Sequence, residues 1–384
     1  MRIVLGNGSL INTQRGGGHW SWFLQYPLGL KDLGHEVLWL ELMQSTGHPD
    51  SDARIVRDFF ELTARYGLDR DCAVMIFDGS LDFQPFERAQ VLGKNREDIK
   101  DAIRDADLLL NFCCAIRQPL LSTFRRRALL DFDPGHLQIC ALLWEMNVAD
   151  HDALLTIGAR INAPDCEVPK LGRRWRTFEP CIYLPVWQTA GESALEAPFT
   201  SVTHWTWELL KWRGQTISVS KRTAYLNYVG LPRRVSRPFE LAAYIETSDT
   251  TGDREQLEQH GWRLVHPLDV AGSVTDYQNY LHASRAEFMC PKPIHVQMKT
   301  GWFSDRSIAY LASGRPVLAE ETGFSERIPT GSGLVTFRNM DEAVAGVADI
   351  DADYPRHSRA ARELAQEIFD SRKLLPALLA ACDS

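Results

Sequence analysis

Short apolar runs alternate with charged, helix-like stretches along almost the whole chain, and this alternation restricts the possible folds more than any other feature. Residues 1–5 (Met-Arg-Ile-Val-Leu) form a brief apolar run that ends at Gly6, Asn7 and Gly8. Trp20, Phe23, Leu24, Leu28 and Leu33 then fall on one helical face around Pro27, Gly34 closes the helix, and residues 35–41 are apolar again. That is a βαβ opening. Further runs at 73–77, 106–112 and 127–132 each follow a charged stretch, as a parallel sheet covered by helices requires. The stretch 163–198 is rich in Pro, Gly and Trp, with a loop and a last strand expected at 170–175 and 180–187 and a linker at 191–198. A second series begins at 199–205 and continues through 218–221, 225–229, 239–246, 262–266, 276–281 and 284–290.

A chain of 384 residues that alternates in this way suits two domains better than one. The expected division is 1–195 and 196–384, with the last amphipathic helix, within 360–381, able to fold back on the first domain. The fold class is α/β, as two Rossmann-like domains. Hydrophobic residues at 45% are enough for two real cores. A net charge of −8 argues against a nonspecific nucleic-acid partner, which needs a basic face. No apolar run reaches 18 residues and the chain opens directly into a strand, so neither a membrane span nor a signal peptide is expected. Eight cysteines with no CxxC pair point to reduced, buried thiols in the cytoplasm and to no zinc site. Oligomeric state has no signature here.

Three stretches carry chemistry. Gly16, Gly17 and Gly18, followed by His19, stand between the first strand and its helix, where bare backbone can approach a ligand or merely make a loop. No intact GxGxxG is present, so a dinucleotide site is not supported. Asp131 and Asp133, with Pro134, Gly135 and His136, stand at a strand end, where ligand sites of parallel sheets lie. They suit a base, a hydrogen-bond acceptor or metal ligands, and equally an Asp-capped turn. The third stretch is 299–318. Thr300 and Gly301 turn the chain, and Ser304 can cap a helix running from Asp305 to about Ala312. Ser313 and Gly314 end that helix, and Pro316 leads into an apolar strand. The mouth of that helix turns its free N–H groups toward whatever lies over Trp302, Phe303 and Ser304, which suits an anion or a polyhydroxylated ligand.

The third stretch resembles the donor-binding segment of GT-B glycosyltransferases, and the glycine loop followed by residues 33–37 (Leu-Gly-His-Glu-Val) is similar to their amino-terminal loop and strand entry. The resemblance in layout spans nearly the whole chain and is most specific over 285–335. It implies a nucleotide-diphospho sugar as co-substrate, an unidentified acceptor, and no cofactor or metal. Donor binding then falls to Gly16, Gly17, Gly18, Trp302, Phe303, Ser304, Asp305 and Arg306, with Lys221 and Arg222 on the diphosphate and Lys292 and Lys299 nearby. The loop 267–270 stands where such enzymes hold the base. If the reaction inverts, His19 is the first candidate base and Asp131 and Asp133 are next. Common retaining members carry glutamates where Gly301 and Ala309 stand here, so Asp305 or the Glu320–Glu321 pair would have to substitute. A nucleotide-sugar epimerase and a noncatalytic nucleotide- or glycan-binding protein share the same plan.

Overall fold

The computed structural model describes every residue except Gln14, Glu192, 246–250 and Ser384. Glu246, at the end of the 239–246 run, and Glu192, in the 191–198 segment, therefore lie outside the described residues. The first sheet contains β1 (Arg2–Asn7), β2 (Glu36–Gln44), β3 (Cys72–Phe77), β4 (Gln90–Leu92), β5 (Leu108–Phe112), β6 (Arg127–Asp131), β7 (Ala153–Thr156) and β8 (Trp175–Thr177). Their order is β4-β3-β2-β1-β5-β6-β7-β8, parallel except for β4 against β3. β3 and β5 are buried along their full length, which is why they are continuous apolar runs and not alternating ones.

The second sheet is wholly parallel. It contains β9 (Phe199–Thr203), β12 (Phe239–Ala243), β13 (Trp262–Val265), β14 (Ala286–Met289), β15 (Val317–Glu320) and β16 (Leu334–Phe337), in the order β13-β12-β9-β14-β15-β16. Between β9 and β12 a separate hairpin, β10 (Leu209–Trp212) with β11 (Gln215–Ser218), turns at Arg213 and Gly214. The two sheets give the two-domain α/β architecture expected of the alternation.

Three local expectations are corrected. The last strand of the first sheet is Trp175–Thr177; residues 180–187 instead make one bridge, Ile182 to Asp370, and a 3-10 turn, Leu184–Val186, because Pro185 interrupts any ladder there. The stretch beginning at Pro267 is a short helix, Pro267–Ala271, with the proline in its first turn. The hairpin has no counterpart in the expected element list. Its alternation is brief and holds Leu209 and Lys211 outward, with Leu210 inward.

One apolar core runs through both domains. Trp20, Phe23, Trp39, Phe59 and Phe112 pack in the first, and the same cluster continues into Tyr277, Phe303, Tyr310 and Phe369. The carboxy-terminal helix Ser371–Asp383 lies against the helix Gly17–Asp32 and β7 of the first domain. Arg126 pairs with Asp383 at 2.5 Å there. Among the described residues no helix is long and apolar enough to cross a membrane.

Candidate functional site

Each sheet reverses its strand order once, between β1 and β5 in the first and between β9 and β14 in the second. A crevice opens beyond the carboxyl ends of the strands at such a point. Here both crevices face each other and form one cleft of about 710 Å³. From the first domain it is lined by Ile11, Arg15, Gly16, Gly17, Gly18, His19, Trp22 and Ile55. From the second it is lined by Thr203, His204, Trp207, Lys221, Tyr244, Pro267, Leu268, Tyr277, Lys292, Asp305 and Arg306.

The charge in this cleft opposes that of the whole protein. Arg15, Lys221, Lys292 and Arg306 line it, and Asp305 is the one carboxylate lining it among the described residues. Burial, then the neighbouring Arg306, pushes the Lys221 ammonium down to about 7. Lys221 has no carboxylate within ion-pair distance among the described residues, and its ammonium lies 5.6 Å from the centre of the Trp302 ring. Arg306 donates to Glu287 at 2.7 Å and to the Val202 carbonyl at 2.5 Å, while its remaining nitrogen, Nη2, is buried without a partner. A buried N–H left in that state costs free energy that an entering acceptor recovers. Burial raises the Asp305 carboxyl above its usual value despite Arg306 and Lys221.

Two helices begin at the cleft, Gly17–Asp32 and Asp305–Ala312, and neither N-cap residue, Gly16 or Ser304, gives a side-chain cap bond. Their first-turn N–H groups are therefore available to an anion or hydroxyl. Gly17 is needed for a different close approach than the sequence suggests. A Cβ there would stand 2.0 Å from the Ser273 carbonyl oxygen, so bare backbone at this point lets the two domains meet. His19 is mostly buried, and burial lowers its pKa, leaving a neutral imidazole that can accept a proton. Its ring sits edge-on to His204 of the other domain, 5.3 Å away.

The cleft thus gathers Gly16, Gly17, Gly18, His19, Lys221, Lys292, Asp305 and Arg306 from the expected residues. Others lie elsewhere. Phe303 is turned into the shared core against Phe324 and Phe369. Trp302 stacks on His295 at 4.6 Å and donates to the Phe132 carbonyl, and Ser304 is buried below the helix. None of the three lines the cleft, because aromatic side chains in this loop gain more by covering the domain junction than by facing water. The Arg222 guanidinium is bound to Asp253 through two nitrogens, away from the lining. Lys299 pairs with Asp165 on the outside. Glu320 accepts from the Tyr228 hydroxyl and Glu321 from Gly323 N–H, so neither replaces an acid in the cleft.

Asp131 is fully buried and accepts from Thr156, Gln138 and the Asp133 N–H at 2.7–2.8 Å. It fixes the turn after β6 and has no access to the cleft; burial raises it to about 6. Asp133, two residues on, points the other way and is ion-paired to Lys292. Burial opposes its ionisation, but Lys292 and the histidines hold it well below the usual carboxylate range, which removes it as a base. His136, Cys140 and Glu208 bring three possible metal-ligating atoms within 4.8 Å of one another. Both ring nitrogens of His136 already face carboxylates, Asp133 at 2.9 Å and Glu208 at 2.8 Å. The charge balance is met by His136 and Lys292 themselves.

Sequence reasoning missed His204, Trp207, Tyr244 and Tyr277 as lining residues. His204 and Tyr244 each directly follow a strand of the second sheet, β9 and β12, and that position was the available signal.

No family profile matches the chain, and no curated protein matches it in sequence. Solved structures do match. A point mutant of TarM from S. aureus, determined with fondaparinux, α-GlcNAc-glycerol and UDP, superimposes with a TM-score of 0.60 at 10% identity, covering 100% of both chains. Sucrose-phosphate synthase from Thermosynechococcus elongatus gives 0.58 at 13% identity over 99% of this chain and 100% of that one. HepE from Anabaena, determined with UDP and glucose, gives 0.57 at 12% identity over 100% of both. The chain has the GT-B fold. One departure from common retaining GT-B enzymes is built into the backbone. Gly301 adopts φ +71°, and a Cβ there would stand 2.9 Å from Arg160, so a glutamate has no room.

Proposed function

We propose that the protein is a glycosyltransferase that moves a sugar from a nucleotide-diphospho sugar to an acceptor. The observation that carries this reading is a cleft with four cationic side chains and one carboxylate in a protein of net charge −8. The ligands bound in the similar structures, UDP among them, are of the kind such a cleft fits. In the proposed reaction an acceptor hydroxyl oxygen bonds to the anomeric carbon while the bond from that carbon to the phosphate oxygen breaks. The electron pair leaves with the diphosphate, whose charge is met by Lys221, Arg306 and the helix mouth at Asp305. His19, neutral and beside the glycine loop, takes the acceptor proton. These cations do the work that a metal ion does in other transferases, so the reaction is expected to proceed in a chelator. Eight cysteines without a disulfide among the described residues fit a reducing compartment, and we place the protein in the cytoplasm.

A second reading, a noncatalytic nucleotide-sugar binder, is favoured by the missing acids at Gly301 and Ala309. One experiment separates the two. Melting curves and slow donor hydrolysis are measured with UDP-glucose, UDP-GlcNAc and GDP-mannose in EDTA. A raised Tm with hydrolysis of one donor is expected. A raised Tm without hydrolysis supports the binder, and no shift with any donor overturns both.

A further inference from the structure

Lys292 stands outside the helix-mouth motif, in the loop between β14 and the short helix Pro293–Gln297. Its ammonium lines the cleft and lies 5.7 Å from the centre of the Trp207 ring. Its partner, Asp133, comes from the other domain, from the turn after β6. That carboxylate is held from three sides. His136 Nδ1 is 2.9 Å from Oδ2, His295 Nε2 is 3.4 Å from Oδ1, and Lys292 completes the set. The second nitrogen of His136 reaches Glu208, just ahead of the hairpin, at 2.8 Å. Other ion pairs also cross between the domains, Arg160 to Glu326 and Lys299 to Asp165 among them, but among the described residues the Asp133 cluster is the one that reaches a cleft-lining cation. Asp133 and Glu208 together balance Lys292 and His136, while burial lowers the pKa of His295 and favours its neutral imidazole.

We propose that Lys292 is a further ligand of the donor diphosphate and that Asp133 is its positioning residue, holding the ammonium in the cleft across the domain gap. This rests on reading the cleft as a nucleotide-diphosphate site. A lysine side chain has four rotatable bonds, and unsupported it samples many positions, most of them in bulk water. The Asp133 carboxylate removes that freedom before the ligand arrives, so less of it is lost on binding. The fields of Lys292 and Arg306 both act on Lys221, which puts the three cations in one region of the cleft. Asp133 stays ionised beside them and cannot serve as a base, which leaves holding as its role. Because Asp133 and Lys292 belong to different domains, the third cation is in place only when the domains are apposed.

The test is isothermal calorimetry with UDP and, as a base-free probe, inorganic pyrophosphate. Wild type is compared with Lys292→Met, Asp133→Asn and the double variant. Lys292→Met is expected to weaken both ligands about tenfold, the loss of one charge-assisted contact. Asp133→Asn is expected to weaken them about threefold to tenfold. The double variant is expected to be no worse than Lys292→Met alone, since Asp133 acts through the lysine. A purely structural role for Asp133 would make the two losses add, and would overturn the positioning role. Tighter binding by Asp133→Asn would overturn it too, by showing that the carboxylate competes with phosphate. Unchanged affinity in Lys292→Met, with wild type binding, overturns this inference and leaves the proposed function standing. Failure of wild type to bind either probe overturns both. Asp133→Glu keeps the charge and moves the carboxylate by one methylene, and is expected to give an intermediate loss. It replaces Asp133→Asn if that variant melts below the assay temperature.

Discussion

The two walls of the cleft are made in different ways. The amino-terminal wall is largely backbone and apolar surface, with three glycines, Ile11, Trp22 and Ile55, and its charge is limited to the exposed Arg15. The carboxy-terminal wall is made of ionisable side chains, Lys221, Lys292, Asp305 and Arg306, set among strand ends and a helix mouth. The first wall depends on shape and the second on electrostatics. Under the proposed function, the anionic donor would lie against the second wall and the acceptor against the first. Changes that alter shape should therefore be costly on the first wall, and changes that alter charge should be costly on the second.

Gly17→Val is the sharpest way to break this division. The added side chain runs into the Ser273 backbone of the opposite domain, which cannot give way as a flexible side chain would. We expect turnover to fall by at least a hundredfold and the melting temperature to drop by several degrees, as overpacking of about 1–3 kcal/mol implies. Wild-type melting and kinetics would show that the walls need not meet at this glycine.

Lys221→Met comes next and tests the charged wall. Loss of a charge-assisted contact of about 1.5–3 kcal/mol weakens UDP binding roughly tenfold to a hundredfold, read by calorimetry. The proton balance gives a second measure. The free ammonium, lowered to about 7, is largely deprotonated at pH 8, and an arriving diphosphate raises its pKa again. Binding at pH 8 should therefore take up protons, and UDP affinity should fall as pH rises through 7. Heats measured in buffers of different ionisation enthalpy report the uptake, and Lys221→Met should remove it. Equal heats in all buffers for wild type would mean that the lysine stays charged in the empty cleft.

The smallest of these effects is expected at Asp305, the lone carboxylate on the charged wall. Asp305→Ala removes an acceptor for a sugar hydroxyl, worth about 1–3 kcal/mol, and lowers donor turnover up to about a hundredfold. It should leave UDP affinity unchanged or slightly tighter, since a negative charge near phosphate has gone. Asp305→Asn should lose less. A parallel loss of UDP affinity would place Asp305 on the nucleotide and not on the sugar.

The alternation of strands with helices and the glycine loop were legible because period and backbone chemistry are local properties; the strand order was not, since pairing joins runs far apart in the chain. The helix Asp305–Ala312 was legible to the residue, from Ser304 ahead of it and Gly314 behind it. Its flanking aromatics were not, because Trp302 and Phe303 in a loop are as fit to stack on a ligand as to cover a core, and only the position of Phe132, Phe324 and Phe369 decides. Asp131 and Asp133 look alike in sequence, yet one is buried among Thr156 and Gln138 and the other meets a lysine 159 residues away. His204 and Tyr277 reach the cleft from separate elements of the second domain, and no local pattern links them to the glycine loop; Lys292 was placed near the diphosphate only by the resemblance. Lys221 was placed by its resemblance in order of elements, since nothing in its own neighbourhood marks it out from other lysines.

The return of the helix Ser371–Asp383 to the first domain has a consequence for synthesis. The helix Gly17–Asp32 leaves the ribosome more than 300 residues before the segment that covers it. Throughout that interval an apolar face of the first domain has no partner in its own chain. Domains generally fold in order of emergence, at roughly 5–20 residues per second, so the uncovered period lasts on the order of tens of seconds. During that time the nascent first domain is open to chaperones and to other nascent chains. A stop codon before Ser371 would make that exposure permanent.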